Sequence, residues 1–405
     1  MEREYILNKT ESVTVNITGG KIDSFRKKNE TTSTLRLYDG GFIGIAGALG
    51  TCGEDELEHK AKESLERKIP YVCSLDGKEI RREDFTKPAV SDADFIPVMQ
   101  DFIDRVSRAC PNFAISHKIT KNNFSCLYKN SLGRELFCKG NSFEAGLLFQ
   151  SRGSGNLMDA FYGEYNSVFE PDRMVADCKN IHDAFYCKAD IENGTYPVIF
   201  TAYDMFATFL RNFSGEEYVS GGSLLSGKLG QKVFSEKLNL ASDRNAATNP
   251  ESCFFDDEGQ TAENDRVFFV ENGVLKHVTA SKNSAKKFGI PVSKTSVSAY
   301  DGVPAGSYSR LYVSPTAESL AKLVPQKAIL AVMASGGDTT PDGHFATPVQ
   351  LAFLVENGVL VGRLPELNVS GDFFDMLGSG FVGASNSTVI GTDTMCAAEM
   401  KVEKM

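Results

Sequence analysis

Val270-Glu271-Asn272-Gly273-Val274-Leu275 is repeated residue for residue as Val355-Glu356-Asn357-Gly358-Val359-Leu360. In each copy an Asn-Gly pair stands between β-prone arms. These are Val267–Val270 and Val274–Val278 around the first, and Ala352–Val355 and Val359–Val361 around the second. A two-residue type I′ turn needs positive φ at both central residues, and Asn-Gly adopts it at least cost. The pairing follows: Glu271 opposite Val274, Val270 opposite Leu275, Phe268 opposite His277, and Val355 opposite Leu360. The repetition predicts two matching halves of one β-rich region. The phrase itself carries no chemistry.

Outward from the phrases, Gly is frequent from Tyr218 onward and strands dominate; Tyr218–Gly230 is too rich in Gly for a continuous helix. Helical stretches return at Ser281–Phe288 and Ala317–Leu323. Upstream, Tyr196–Thr201 reads as a buried strand and Tyr203–Phe213 as a helix. Gly194-Thr195 opens this region, so residues 194–405 form a C-terminal β-rich domain. Residues 1–193 form an N-terminal α/β region, divisible into about 10–75 and 92–193.

In that region Val13, Val15 and Ile17 alternate with polar residues, the mark of a half-buried strand, and Gly19-Gly20 turns the chain. Thr34–Tyr38 and Phe42–Ala46 make a hairpin across Asp39-Gly40-Gly41. Leu57, Ala61 and Leu65 recur at helical spacing over 54–68, and Pro70 ends that helix. Residues 74–90 read as a charged connection. A second helix has Asp92 or Asp94 as cap, Pro97 in its first turn, and Phe95, Met99, Phe102, Val106 and Cys110 as its buried stripe. Turns at Asn122-Asn123, Asn130–Gly133 and Gly140-Asn141 divide 112–150 into an antiparallel sheet. A Gly/Ser loop, Arg152–Asn156, offers amides to an anion. A third helix covers about 172–190. The class is α+β: an N-terminal antiparallel sheet with helices, then a β-rich domain.

The chain has 405 residues, 41% hydrophobic and 24% charged, with 43 Lys and Arg against 53 Asp and Glu, a net charge of −10. That balance weighs against binding nucleic acid, which rests on neutralising phosphates. The nine Cys are odd in number and scattered, with no Cys-x-x-Cys, as expected of reduced thiols. Met1–Tyr5 is charged and lacks the apolar core of a secretion signal, and the run Ala328–Ala334 is too short to span a bilayer. The expected address is the cytoplasm, with no membrane partner.

Catalytic constellations are scarce. Of the five His, no two sit at zinc-ligand spacing. His59 belongs to a solvated helix face, His117 and His182 read as structural, and His277 as sheet surface. His344 lies in the loop Gly336–Phe345, where it could line a cleft. A Gly-x-Ser-x-Gly elbow is missing, and Leu229 follows Gly227-Lys228 where a Walker motif needs Ser or Thr. Phe255-Asp256-Asp257-Glu258-Gly259 is the densest carboxylate group. Its simpler reading is a solvated turn; its functional reading gives Asp257 and Glu258 a place in a cleft.

Taken together, four stretches resemble the TldD/PmbA family, historically labelled modulators of DNA gyrase. They are Gly222–Gly230, Phe255–Gly259 leading into the first repeated phrase, Gly343–Pro348 leading into the second, and Pro365–Leu377. Gly41–Gly47 followed by an amphipathic helix extends the resemblance to essentially the whole chain. TldD-type members are similar to zinc peptidases and carry His-Glu-x-x-x-His on a helix, with a Cys ahead of a Gly-Gly loop. Aligned from Ser226-Gly227, that motif starts near Phe206. Here the positions read Phe206-Ala207-Thr208-Phe209-Leu210-Arg211, so Phe206, Ala207 and Arg211 stand in place of the two His and the Glu. No His lies between His182 and His277, and Ala331–Ser335 before Gly336-Gly337 holds no Cys.

A catalytic zinc ion needs about three protein ligands and an open position. The resemblance therefore implies the PmbA branch, also called TldE: a subunit without zinc or catalytic residues of its own. It would pair with a TldD-type subunit that holds the zinc, the pair acting on unfolded or flexible peptides. Two alternatives stand beside it. One is a self-sufficient homodimeric hydrolase using Asp257, Glu258 or His344. The other is a protein that binds gyrase or nucleic acid.

Overall fold

The computed structural model describes residues 1–405. The chain opens with two very long strands, β1 (Glu2–Thr18) and β2 (Lys21–Asp39), followed by β3 (Phe42–Leu49), α1 (Glu54–Leu65) and the short β4 (Ile69–Pro70). Then come β5 (Ile80–Asp84), α2 (Phe95–Ala109), β6 (Phe113–Asn130), β7 (Glu135–Ser151), β8 (Ala160–Asn166) and α3 (Pro171–Tyr186). All eight strands form one sheet in the order β4-β3-β2-β1-β6-β7-β5, with β8 also on β7. The stripe of α2 is buried as its spacing predicts, from Phe95 through Met99, Phe102 and Val106, with Ile103 added.

Three local expectations fail here. Residues 80–84 of the charged connection pair parallel with β7 at its edge. Asn122-Asn123 and Gly140-Asn141 are not turns: they lie opposite each other in the middle of β6 and β7, Asn123 against Asn141 and Phe124 against Gly140. The missing Gly140 side chain leaves room for the Phe124 ring, which a Cβ there would meet at 2.9 Å. Asn141 accepts from the Lys87 amide and donates to the Ser167 carbonyl, so its polar groups serve neighbouring loops rather than a turn. Finally, Asp94 holds the cap position of α2 without a capping bond, while Asp92 pairs with Lys27 and Lys121.

The remaining chain runs through β9 (Gly194–Thr201), α4 (Ala202–Ala207), α5 (Gly215–Ser220), β10 (Leu240–Asp243), β11 (Arg266–Glu271), β12 (Val274–Leu275) and α6 (Lys282–Phe288). It continues with β13 (Ser296–Val297), β14 (Ala305–Gly306), β15 (Arg310–Val313), α7 (Leu320–Leu323), β16 (Lys327–Ala334), β17 (Asp338–Thr339) and β18 (His344–Glu356). It ends with β19 (Val359–Arg363), β20 (Leu367–Asp372), α8 (Phe373–Leu377), β21 (Phe381–Ser385) and β22 (Met395–Lys404). Strands β16, β9, β22, β20 and β18 pair in that order, and β18 returns to β16, so the ring closes. Successive residues point into different cores. Val198, Phe200, Ile329 and Leu354 enter the core inside the C-terminal region. Ile199, Leu330 and Phe353 enter a second core shared with Val15, Phe102 and Ile181. Burial on both faces explains why Ala328–Ala334 is apolar without alternation, and the shared core joins the two parts of the chain. No helix is long and apolar enough to cross a membrane.

Both repeated phrases form their hairpins. Asn272 and Gly273 have φ of 49° and 75°, and Asn357 and Gly358 have 51° and 74°, all positive as a type I′ turn requires. Val270 pairs with Leu275, Glu271 with Val274, and Val355 with Leu360. The ladder stops before Phe268 and His277: the amides of Lys276 and His277 both turn to the Phe269 carbonyl, and His277 Nδ1 meets the Phe268 carbonyl at 2.9 Å. The hairpins do not mark matching halves. The first edges a four-stranded sheet, β12-β11-β10-β15, while the second extends β18 of the closed ring.

Candidate functional site

A cavity of about 1140 Å³ opens between the N-terminal sheet and the C-terminal region. Strands β1, β6 and β8 supply one wall, with Lys9, Asn122, Phe124 and Tyr165 among its side chains. The other wall comes from Arg244, the turn 249–257, Tyr308–Arg310 and 390–395, with Tyr203 and Asp204 at the start of α4. Small-molecule sites span roughly 300–1,000 Å³, so this space is just above the upper end of that range. A second cavity of about 420 Å³ shares Tyr165, Arg310 and Asp393 with the first, so these side chains stand between the two.

The acids around the cavity are held by the protein's own donors. Glu251 accepts from Asn122 Nδ2 at 2.7 Å and from the Ser142 hydroxyl. Asp257 accepts from the Ser298 amide at 2.6 Å and its hydroxyl at 3.2 Å. Asp204 accepts from the Thr201 hydroxyl at 2.7 Å while Thr201 caps α4 by accepting from the Asp204 amide. Asp393 is paired with Arg310, whose guanidinium lies 4.6 Å from the Tyr165 ring centroid. Burial, with Glu251 nearby, pushes the Tyr165 phenol well above its usual pKa, so it stays neutral.

The carboxylate turn is not solvated. Asp256 and Glu258 are buried, and only Asp257 faces the cavity. Glu258 accepts from the Tyr71 hydroxyl at 2.6 Å, the Lys282 amide at 2.9 Å and the Ser296 hydroxyl at 2.5 Å. Asp256 accepts from the amides of Glu258, Gln260 and Ser296. Burial pushes its carboxyl up to about 7, and Glu258 adds to this, against Arg244 and the amides. Behind the turn, Arg36 donates to the Asp257 carbonyl at 2.6 Å and to Glu4 at 2.7 Å, tying the turn to the N-terminal sheet. The bonds join residues up to 221 positions apart, which is why a solvated turn was the natural reading of the sequence.

His344 begins β18 as an exposed residue, and none of the five His lines the cavity. Of the two thiols that line the cavity, Cys126 and Cys253, a hydrogen bond with Cys126 and burial push Cys253 well above its usual value, so it stays protonated at neutral pH. In the Gly/Ser loop 152–156 the amides of Arg152, Ser154 and Asn156 are bonded within the protein. Its Ser154 and Asn156 side chains and the Ser151 amide all bond Asp159.

The helix that would carry a zinc motif is interrupted. α4 ends at Ala207, and a separate 3₁₀ turn covers Leu210–Phe213. Phe206 is fully buried in the apolar core, and Arg211 projects outward to pair with Glu217 at 2.9 Å. Phe209, between them, packs on Phe373 at 4.8 Å and Phe345 at 5.6 Å between ring centroids. Nowhere do three His, Cys, Asp or Glu side chains converge as metal ligands. The residues present do not fit a catalytic zinc ion.

Sequence reasoning missed Arg244, Glu251, Tyr165 and Arg310, which belong to no motif. One signal was available: the run Ser242-Asp243-Arg244-Asn245 through Asn249-Pro250-Glu251-Ser252 is densely polar inside a strand-dominated region, yet Asp243, Asn249 and Ser252 are buried. Polar runs that bury mark built surfaces rather than solvated loops.

Residues 193–405 match the PmbA/TldA metallopeptidase C-terminal domain. The chain is similar to a metalloprotease of Archaeoglobus fulgidus, 23% identical over 399 residues covering 93% of this chain and 90% of the relative. It is also similar to a zinc metalloprotease TldD homolog of Saccharolobus solfataricus, 24% identical over 265 residues, covering 62% and 59%. Among solved structures, TldE from Thermococcus kodakarensis superposes with a TM-score of 0.79 at 18% identity, covering 100% of this chain and 97% of that one. At that identity the likeness speaks to the fold.

Proposed function

The chain belongs to the PmbA/TldA metallopeptidase family, and on that premise we propose that it is the non-catalytic, TldE-like subunit of a cytoplasmic zinc peptidase complex. A TldD-type partner supplies the zinc and the hydrolytic step, and this chain helps enclose an unfolded or flexible peptide. The observation that carries the reading is the fate of the zinc-motif positions: Phe206 is given to the core and Arg211 to the surface, with a helix break between them. The cavity supports the second half of the reading, since it is large and partly aromatic.

A self-sufficient hydrolase finds less support. Glu258 is buried beneath the cavity wall, His344 is not at the cavity, and the Asp257 carboxylate is hydrogen-bonded to Ser298 rather than to a His, Lys or thiol with which to share a proton transfer. The test is a peptidase assay on an unfolded protein substrate with metal analysis of the purified chain. We expect no stoichiometric zinc, no hydrolysis by the chain alone, and chelator-sensitive hydrolysis once a TldD-type subunit is added. Chelator-resistant hydrolysis by the purified chain would overturn the proposal, as would one equivalent of bound zinc. A homodimer that stays homodimeric beside a TldD-type subunit would count against the partnership.

A further inference from the structure

Of the two guanidinium groups that line the cavity, Arg244 has no carboxylate partner. Arg244 follows β10 and is half-buried, with its head at the cavity wall. Its Nη1 donates to the Phe255 carbonyl at 3.0 Å and its Nη2 to the Ser296 carbonyl at 3.5 Å. Its Nε is buried without a partner. No carboxylate lies within ion-pair distance, whereas Arg310 on the same wall is paired with Asp393. The guanidinium has five N–H donors. Two go to carbonyls and one is sealed in protein, which leaves one on each terminal nitrogen. Two donors fixed in a plane by neutral acceptors match the two oxygens of a carboxylate.

None of the nearby acids is hydrogen-bonded to this guanidinium, although Asp256 feels its charge. The Asp256 oxygens point at backbone amides, and Glu251 and Asp257 are held by Asn122, Ser142 and Ser298. The same cavity is lined by Phe124, Phe161, Tyr203 and Tyr308, flat apolar faces for neighbouring side chains. We propose that Arg244 is a carboxylate-binding subsite of this cavity, which takes an extended peptide by a carboxylate, terminal or side-chain, with apolar residues laid against the aromatic wall. This deepens the peptide-enclosing role proposed above and rests on it for its biological setting, but the binding itself is a property of this chain alone.

The test is fluorescence anisotropy on the purified full chain with three labelled unstructured decapeptides rich in Ala, Ser and Phe. One has a free C-terminus and no acidic residue, one is its C-terminal amide, and one is the amide with a single Glu. The native chain is expected to bind at least one carboxylate-bearing probe about tenfold more tightly than the plain amide. Which probe gains identifies the source of the carboxylate. Arg244→Gln is expected to abolish the difference while leaving affinity for the amide unchanged, and Arg244→Lys to keep part of it. Should Arg244→Gln fail to fold, the Lys variant and the loss of discrimination at high salt carry the test. Equal affinity of the native chain for all three probes would overturn the subsite, as would undiminished discrimination in a folded Arg244→Gln or at high salt. Absence of any binding by the purified chain would do the same while leaving the subunit role standing. Carboxylate-selective binding with no activity beside a TldD-type partner would instead remove the subunit role and leave the subsite.

Discussion

Glu4→Gln is the smallest change that probes how the cavity wall is held. Glu4 and Arg36 face each other across β1 and β2, and each is 1% exposed. Glu4 Oε1 accepts from Arg36 Nη1 and the Tyr38 hydroxyl, both at 2.7 Å, and Oε2 accepts from the Tyr128 hydroxyl at 2.8 Å. Arg36 reaches on to the Asp257 carbonyl and the Ser298 hydroxyl. Glutamine keeps the shape and removes the charge. Arg36 cannot shed its proton, so it becomes a buried charge with only neutral acceptors, which costs about 3–5 kcal/mol. Arg36→Met alone leaves Glu4 charged with two phenols, at a similar cost. The double variant removes both charges and should lie within about 1–2 kcal/mol of the native chain, since apolar replacement of a buried pair is often neutral. The coupling energy is then at least about 4 kcal/mol. Urea unfolding followed by tyrosine fluorescence suits a chain with 13 Tyr and no Trp, with stability read from midpoints at unchanged slope. A cost below about 1 kcal/mol for Glu4→Gln, or additive effects in the double variant, would refute the reasoning.

Three further outcomes are expected. Gly259 has φ of +66°, and a Cβ there would lie 2.2 Å from the Tyr128 ring; Gly259→Ala should cost about 2–5 kcal/mol from backbone strain and overpacking, and a urea midpoint near native would count against that. The Asp256 carboxyl is raised to about 7 from its ordinary 3.8. The folded state therefore binds the extra proton, and the stabilisation is fully present below about pH 4 and lost as pH rises to about 7. Its size is about 4 kcal/mol, so native stability should fall relative to Asp256→Asn across that window, and a pH-independent difference would contradict the burial argument. Finally, Phe206→His with Ala207→Glu and Arg211→His should bind no stoichiometric zinc and lose roughly 3–5 kcal/mol because a smaller, polar ring replaces a fully buried Phe; one equivalent of zinc by metal analysis would show that the helix break does not matter.

The local signals were legible where the physics is local. Asn-Gly forced two hairpins, and the spacing of Phe95, Met99, Phe102 and Val106 set the buried face of α2. Those signals misled where a distant partner supplied the reason for a residue. Asn122-Asn123 and Gly140-Asn141 read as turns, yet each pair completes the other across β6 and β7. The turn 255–259 read as solvated because Tyr71, Ser296 and Arg36, which hold it, come from segments no short window contains. The repeated phrase fixed two turns but not their setting, since the sheet a hairpin joins is decided by neighbours far along the chain.

The functional reading has the same structure. What the sequence lacks, the zinc ligands, is a statement about single positions, and Phe206, Ala207 and Arg211 could be read one by one. What the chain contributes is a surface assembled from β1, β6, β8, α4 and several separate C-terminal segments, so no motif announces it. That surface also carries a physical cost. An open cavity forgoes packing contacts, and a half-buried Arg244 with an unpartnered Nε forgoes a hydrogen bond that solvent would have given it. Apolar side chains filling the space would stabilise the fold, as Phe209, Phe345 and Phe373 do around the interrupted helix. A chain free of any task at this place has no physical reason to leave the one region filled and the other open. The contrast between the packed helix and the open, polar cavity is therefore the strongest reason to seek this chain's activity in what it holds rather than in what it cleaves.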